Sequence, residues 1–176
     1  MTASHPHAQL IEQLYLAFQR RDPAGMVACY APDIWFSDPV FRDLRGPRVA
    51  AMWHMLALRA ASLELSFRDV RADATTGSAH WEARYLFSAT GRAVHNVIEA
   101  RFEFADGKIV RHADRFDLWR WAGMALGLKG KLLGWAPPVQ NAIHRTAIGG
   151  LEAFEAKQRA QFAETEQTPK DSGRNA

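Results

Sequence analysis

Apolar residues recur at Leu10, Ile11, Leu14, Tyr15, Ala17 and Phe18, the spacing of an amphipathic helix over residues 7–20. Arg21-Asp22-Pro23 ends that helix and opens a second, with Asp22 as N-cap and Pro23 at the first helical position. Ala31-Pro32-Asp33 breaks the second helix, and Ile34-Trp35-Phe36-Ser37-Asp38 reads as a short strand stopped by Pro39. Gly46-Pro47 opens a third helix with a buried stripe of Val49, Met52, Trp53 and Leu56. From Leu63 to Trp119 the apolar period drops from about 3.6 residues to about two. Long alternating strands follow, separated by turn signals at Thr75-Thr76-Gly77, Thr90-Gly91 and Asp106-Gly107. Helix returns after Trp119 through a stretch punctuated by Gly127, Gly130, Gly134, Pro137 and Pro138, and a last helix is expected from about Val139 to Phe162. Residues 164–176 are polar and read as a disordered tail.

The turns set an expected strand pairing. A two-residue turn at Thr90-Gly91 pairs Ala89 with Arg92, Phe87 with Val94, Tyr85 with Asn96, Ala83 with Ile98 and Trp81 with Ala100. One face then carries Trp81, Ala83, Tyr85, Phe87, Val94, Ile98, Ala100, Phe102 and Phe104. The other carries His80, Glu82, Arg84, His95, Glu99, Arg101 and Glu103, whose alternating signs suit a solvated or dimer-forming surface. In the next hairpin a four-residue loop would turn Arg111 and Arg115 inward. A three-residue loop, Ala105-Asp106-Gly107 with Gly107 left-handed, turns in Val110, His112, Asp114, Phe116 and Leu118, and is preferred because it buries no unpaired arginine.

At 176 residues one core is expected. The net charge of +3 is spread along the chain without a Lys/Arg run, and the aromatic residues alternate into a core, which argues against nucleic-acid binding. Cys29 is alone in an apolar context with no flanking base, so an inert thiol and no internal disulfide are expected. No secretory leader is read, and Arg120, Lys129 and Lys131 interrupt the best apolar run, so no membrane span and a cytoplasmic location are expected. No His/Cys/Asp/Glu set has metal-ligand spacing and no Gly-rich phosphate loop is visible, so neither a metal nor another cofactor is expected.

The candidate chemistry lies in Phe36-Ser37-Asp38-Pro39 and in His112-Ala113-Asp114. A carboxyl group in an apolar cavity can hold an unusual pKa, and an imidazole two residues from a carboxylate on one strand face can shuttle a proton. Asp38, His112 and Asp114 are the catalytic candidates, and Trp35, Trp81, Tyr85, Asn96, Ile98 and Phe116 the candidate ligand-binding residues. Each has a structural alternative: Asp38 as a turn cap, the His112–Asp114 pair as part of a buried polar network, and Tyr85 and Asn96 as partners of one another. The apolar segment Leu118 to Trp135 is expected to pack on the domain, with closure of the cavity mouth, a dimer contact or a membrane surface as its possible uses.

Three N-terminal helices, a curved antiparallel sheet and a late helix make an α+β cone. With Tyr30-Ala31-Pro32-Asp33 leading into Phe36-Ser37-Asp38-Pro39, Gly46 before the third helix, and Asp106-Gly107-Lys108-Ile109 followed by His112-Ala113-Asp114, the chain resembles the nuclear transport factor two-like superfamily, in particular its SnoaL-like branch. The resemblance covers roughly residues 8–120. It implies a cone domain over 1–119, to which a helical extension over 120–163 and the tail over 164–176 are added. It also implies that Asp38 matches the general base of ketosteroid-isomerase-like members and Asp114 the acid–base residue of SnoaL-like cyclases. The oxyanion donors of the former are missing, their positions falling on Leu14 and near Ala100. The Arg and Asp of limonene-epoxide-hydrolase-like members are replaced by Trp81 and Ala83. The expected function is therefore isomerisation, cyclisation or dehydration of an apolar oxygenated small molecule by a homodimer, with a non-catalytic ligand-binding domain as the alternative.

Overall fold

In the computed structural model, which describes residues 5–59 and 62–167 with the last four as backbone alone, the first helix α1 (Pro6–Gln19) buries Ile11, Leu14, Tyr15 and Phe18. Asp22 caps α2 (Pro23–Ala28) by accepting the Gly25 N–H, with Pro23 at the first position, as the sequence pattern requires. Strand β1 (Tyr30–Ser37) starts four residues earlier than expected. It tolerates Pro32 because its register against the neighbouring strand shifts between Tyr30 and Trp35, where no ladder bond is needed. β2 (Leu44–Arg45) returns along β1, and α3 (Pro47–Arg59) turns Val49, Met52, Trp53 and Met55 inward.

The meander β3 (Glu64–Ala72), β4 (Thr76–Phe87), β5 (Arg92–Ala105) and β6 (Lys108–Arg115) completes a six-stranded sheet of order β2-β1-β6-β5-β4-β3. The sheet is mixed rather than wholly antiparallel, because β1 runs parallel to β6. Side-chain alternation reports faces and not direction, so this pairing was invisible in the pattern.

Two hairpins depart from the expected loops in instructive ways. Between β4 and β5 the loop has four residues, and the pairs are Phe87 with Arg92, Tyr85 with Val94, Ala83 with Asn96 and Trp81 with Ile98. The slip from the expected register is two residues, one full period of the pleat, so the faces survive unchanged. Between β5 and β6 the turn is Asp106-Gly107, both with positive φ (51° and 72°), the geometry of a two-residue mirror-image turn. Alone it would point Arg111 inward. The register shift between Glu103 and Phe104 inserts one residue on β6, so Ile109 faces inward before it, Val110 is only half-buried, and His112 and Asp114 face inward after it.

Three helices follow. α4 (Leu118–Ala125) is capped by Asp117, α5 (Leu128–Leu133) is short, and α6 (Pro137–Gln167) lies along α3. The Gln158 side-chain amide donates to His54 Nδ1 at 2.8 Å, and Arg48 meets Glu155 at 3.3 Å, tying α6 down. α6 includes residues 164–167, which were expected in the disordered tail; Glu, Thr and Gln are tolerable helix residues that simply extend it. The rest of that tail lies outside the described residues. Among the described residues no helix is long and apolar enough to cross a membrane.

Candidate active site

Period-two alternation along β1 puts Ile34 and Phe36 in the core and leaves Asp38 next on the same side. A tight turn then fixes that carboxyl group. The Asp38 N–H donates to the Phe41 carbonyl at 2.9 Å, and Oδ1 accepts the N–H groups of Val40, at 2.6 Å, and Phe41. From α6, the His144 ring donates to the Val40 carbonyl at 2.7 Å and holds the turn in place. Burial pushes Asp38 up to about 7 against the pull of the Phe41 N–H, and the negative charge of Asp114 raises it further. Asp38 is thus both turn cap and cavity-facing acid.

On β6, His112 is 0% exposed. Its ring is enclosed by Phe36 edge-on, by Phe102 with centroids 4.4 Å apart and by the stacked indole of Trp53. Nδ1 lies 2.8 Å from the Tyr30 hydroxyl and Nε2 lies 3.0 Å from Asp114 Oδ1. Burial lifts the Tyr30 hydroxyl well above its ordinary value, so it stays protonated and donates to Nδ1. With Nδ1 accepting, Nε2 carries an N–H and donates it to Asp114. The same Oδ1 accepts the Trp81 indole N–H at 3.2 Å. Asp114 Oδ2 has no hydrogen-bond partner among the described residues and is left for the cavity.

That cavity has a volume of about 540 Å³ and a mostly apolar wall. Asp38, Trp81, Tyr85, Asn96, Ile98, Asp114 and Phe116 all line it, with Met52, Trp53 and Met55 of α3 and Ile143 of α6. Two expected site residues are placed otherwise. Trp35 lies on the opposite face of β1, where its indole N–H donates to Asp43 at 2.6 Å and the Arg111 guanidinium sits 4.1 Å over its ring. Its parity, odd where Asp38 is even, already separates the two. His112 is sealed behind Asp114 and does not reach the cavity, so it orients the carboxylate rather than meeting a ligand.

Tyr85 and Asn96 are not cross-strand partners, and no hydrogen bond joins them. Instead the Trp121 indole N–H donates to the Tyr85 oxygen at 2.9 Å, which leaves the phenolic proton for a ligand. Burial raises the Tyr85 pKa, with the charge of Asp38 adding to it and the Trp121 bond opposing it, so the hydroxyl remains a donor.

Tyr30, Trp121 and His144 are not among the candidate site residues of the sequence. Tyr30 was hidden because Pro32 argued against a strand there; the others act through tertiary contacts that no local pattern encodes. Cys29 is buried, its thiol donates to the Gly25 carbonyl, and burial raises its pKa, which leaves it an unreactive core group. Among the described residues no group of three His, Cys, Asp or Glu is placed to hold a metal ion.

A family model described as a SnoaL-like domain matches residues 11–112. No curated protein sequence matches the chain. Among solved structures, an NTF2-like protein of unknown function from Burkholderia pseudomallei is 20% identical, with 69% of this chain and 98% of that one covered and a TM-score of 0.59. An LEH-like epoxide hydrolase from M. tuberculosis is 20% identical over 73% of this chain and 96% of its own, with a TM-score of 0.59. TerC, co-crystallised with polyporic acid, is 16% identical over 69% of this chain and 99% of its own, with a TM-score of 0.60. At these identities the likeness to the solved structures is one of fold.

Proposed function

The chain belongs to the SnoaL-like domain family, and on that footing we propose that it is an enzyme that moves protons on an apolar, oxygenated small molecule held in the cone. The observation that carries this reading is the pair of carboxyl groups, Asp38 and Asp114, in the wall of one apolar cavity but in unequal settings. Asp114 accepts N–H bonds from Trp81 and His112 on Oδ1 and presents Oδ2 as the base. Asp38, raised to about 7, holds a proton below neutral pH and in about half the molecules at it, and is the acid. A carboxyl group whose burial favours its protonated form, facing a second carboxyl with an oxygen free for the cavity, is what a proton transfer across one substrate requires.

The chemistry follows from those positions. Asp114 removes a proton from carbon next to a carbonyl group, and the electron pair moves onto the carbonyl oxygen. The Tyr85 O–H and the Asn96 amide are the donors available to steady that oxygen. Asp38 delivers its proton to a second carbon in an isomerisation or to a departing hydroxyl in a dehydration. An intramolecular attack by the carbanion on a second carbonyl gives an aldol cyclisation, with Asp38 protonating the new alkoxide. The cavity volume is in the range of sites that enclose small ligands whole.

The test begins with a thermal-shift screen of apolar ketones, quinones and polyketide-like phenols. Conversion of each stabilising compound is then followed by mass spectrometry in wild type, Asp114→Asn and Asp38→Asn. Loss of a positioned base lowers turnover by about 10²–10⁴-fold with little change in affinity. Wild-type protein that binds such compounds tightly and converts none is a ligand-binding domain instead.

A further inference from the structure

α5 is packed the wrong way round for a helix of a water-facing domain. It turns its glycines toward the protein and its leucines away from it. A Cβ at Gly130 would lie 1.9 Å from the Ala122 carbonyl oxygen, so only glycine permits the approach to α4. Leu128, Leu132 and Leu133 are consequently 71%, 63% and 53% exposed, and Trp119 and Trp135 beside them 49% and 59%. An ordinary amphipathic surface helix does the reverse. The two indole N–H groups are turned back onto the Lys131 and Leu132 carbonyls, so the outward surface of each ring is hydrocarbon.

Charge selects the occupant of this patch. From Leu118 to Leu151 the chain contains no Asp or Glu, although it carries 19 in all. Lys129 and Lys131 alternate with the leucines of α5 and are exposed, Arg120 is exposed on α4, and the Arg92 guanidinium packs against Gly127 at the start of α5. Exposed Leu and Trp ringed by cations match the boundary of a bilayer with anionic headgroups. We propose that α5 and its flanking tryptophans dock this protein on an anionic membrane surface, lying in the interface without crossing it. The proposal does not depend on catalysis. It does agree with the cavity, whose wall includes Trp121 and Leu126 on the α4 side and Val139 and Ile143 on the α6 side of the same segment. A ligand dissolved in the bilayer would enter from that end.

The full chain is centrifuged with sedimentable vesicles of phosphatidylcholine, alone or in equimolar mixture with phosphatidylglycerol. The expected result is co-sedimentation with the anionic vesicles that is weakened by salt, and little with the neutral ones. The Leu128→Ser/Leu132→Ser/Leu133→Ser variant should bind at least about a hundredfold more weakly, because each leucine loses its apolar insertion. Lys129→Ala/Lys131→Ala should bind about thirtyfold more weakly. Quenching of wild-type tryptophan fluorescence by brominated lipid reads the same insertion without any substitution. Absence of both sedimentation and quenching on anionic vesicles overturns the proposal, as does a folded serine variant that sediments like wild type. A dimer by light scattering that the serine variant dissolves, without lipid binding by either, assigns the patch to a second copy and also overturns it.

Discussion

The Tyr30 hydroxyl and the His112 ring meet 2.8 Å apart, on the side of the imidazole away from Asp114. The pair converts a strand whose start is masked by Pro32 into the support of the candidate base. Tyr30 sets which ring nitrogen carries the proton, and that nitrogen sets how Asp114 is held. Tyr30→Phe leaves Nδ1 buried without its donor, which should cost about 1–3 kcal/mol in urea denaturation. Turnover should fall while ligand affinity changes little, because the cavity wall is untouched. A variant as stable and active as wild type would show that the relay has no consequence.

Asp38 gives stability a specific pH dependence. Its carboxyl is raised from 3.8 to about 7 on folding, so between those values the folded protein keeps a proton that the unfolded chain has released. Stability should therefore fall as pH rises through that window and level off above about 7. The penalty above the window is at most about 4 kcal/mol, since water in the cavity relieves part of it. Asp38→Asn should flatten the curve and raise the melting temperature at about pH 8 relative to wild type. A wild-type stability that climbs from pH 4 to 7 in step with Asp38→Asn would contradict the burial of an ionisable group here.

Most of the fold could be read from the chain because periodicity reports faces directly. α1, the Asp22 cap, α3 and the inward set Trp81, Ala83, Val94, Ile98, Phe102 and Phe104 all follow from it. The inward placement of His112 and Asp114 survived a wrong loop length, because a shorter turn and an inserted residue on β6 compensate each other. What local pattern could not carry was strand direction and anything set by a distant element. The parallel β1–β6 pair, the Trp121 bond to Tyr85 and the His144 clamp on the Asp38 turn belong to that class. Trp35 is different: its parity against Asp38 was legible and places it outside.

Trp35 provides a negative control for the cavity. It is stapled between Asp43 and Arg111 on the outer face, in partly exposed surroundings. Trp35→Phe should leave the affinity of any cavity ligand unchanged and cost no more than about 1 kcal/mol. Trp81→Phe removes an N–H from Asp114 inside the cavity and should lower both turnover and affinity. Isothermal titration of both variants separates the two faces of the sheet; loss of affinity in Trp35→Phe would contradict the assignment.

The close approach of α5 to α4 is testable apart from any ligand. Gly130→Ala places a methyl group against the backbone of Ala122, where no flexible side chain can yield. It should destabilise the α4–α5 unit by about 1–3 kcal/mol or more, visible as early loss of amide exchange protection in α4 and α5. Gly149, with nothing within 4 Å of an added Cβ, should accept alanine without loss, because alanine is the better helix former. Equal behaviour of the two variants would contradict the tight packing of α5.

Solvent deuterium exchange tests the proposed acid–base chemistry most directly, because it reports proton removal whether or not a net reaction follows. A carbonyl compound that stabilises the protein is incubated with it in D₂O, and mass spectrometry follows deuterium incorporation next to the carbonyl. With Asp114 as base, wild type should accelerate incorporation over the buffer rate, and Asp114→Asn should lose about 10²–10⁴-fold of that acceleration while still binding the compound. Exchange that persists in Asp114→Asn, or that vanishes only in Asp38→Asn, would contradict the assignment of Asp114 as the base.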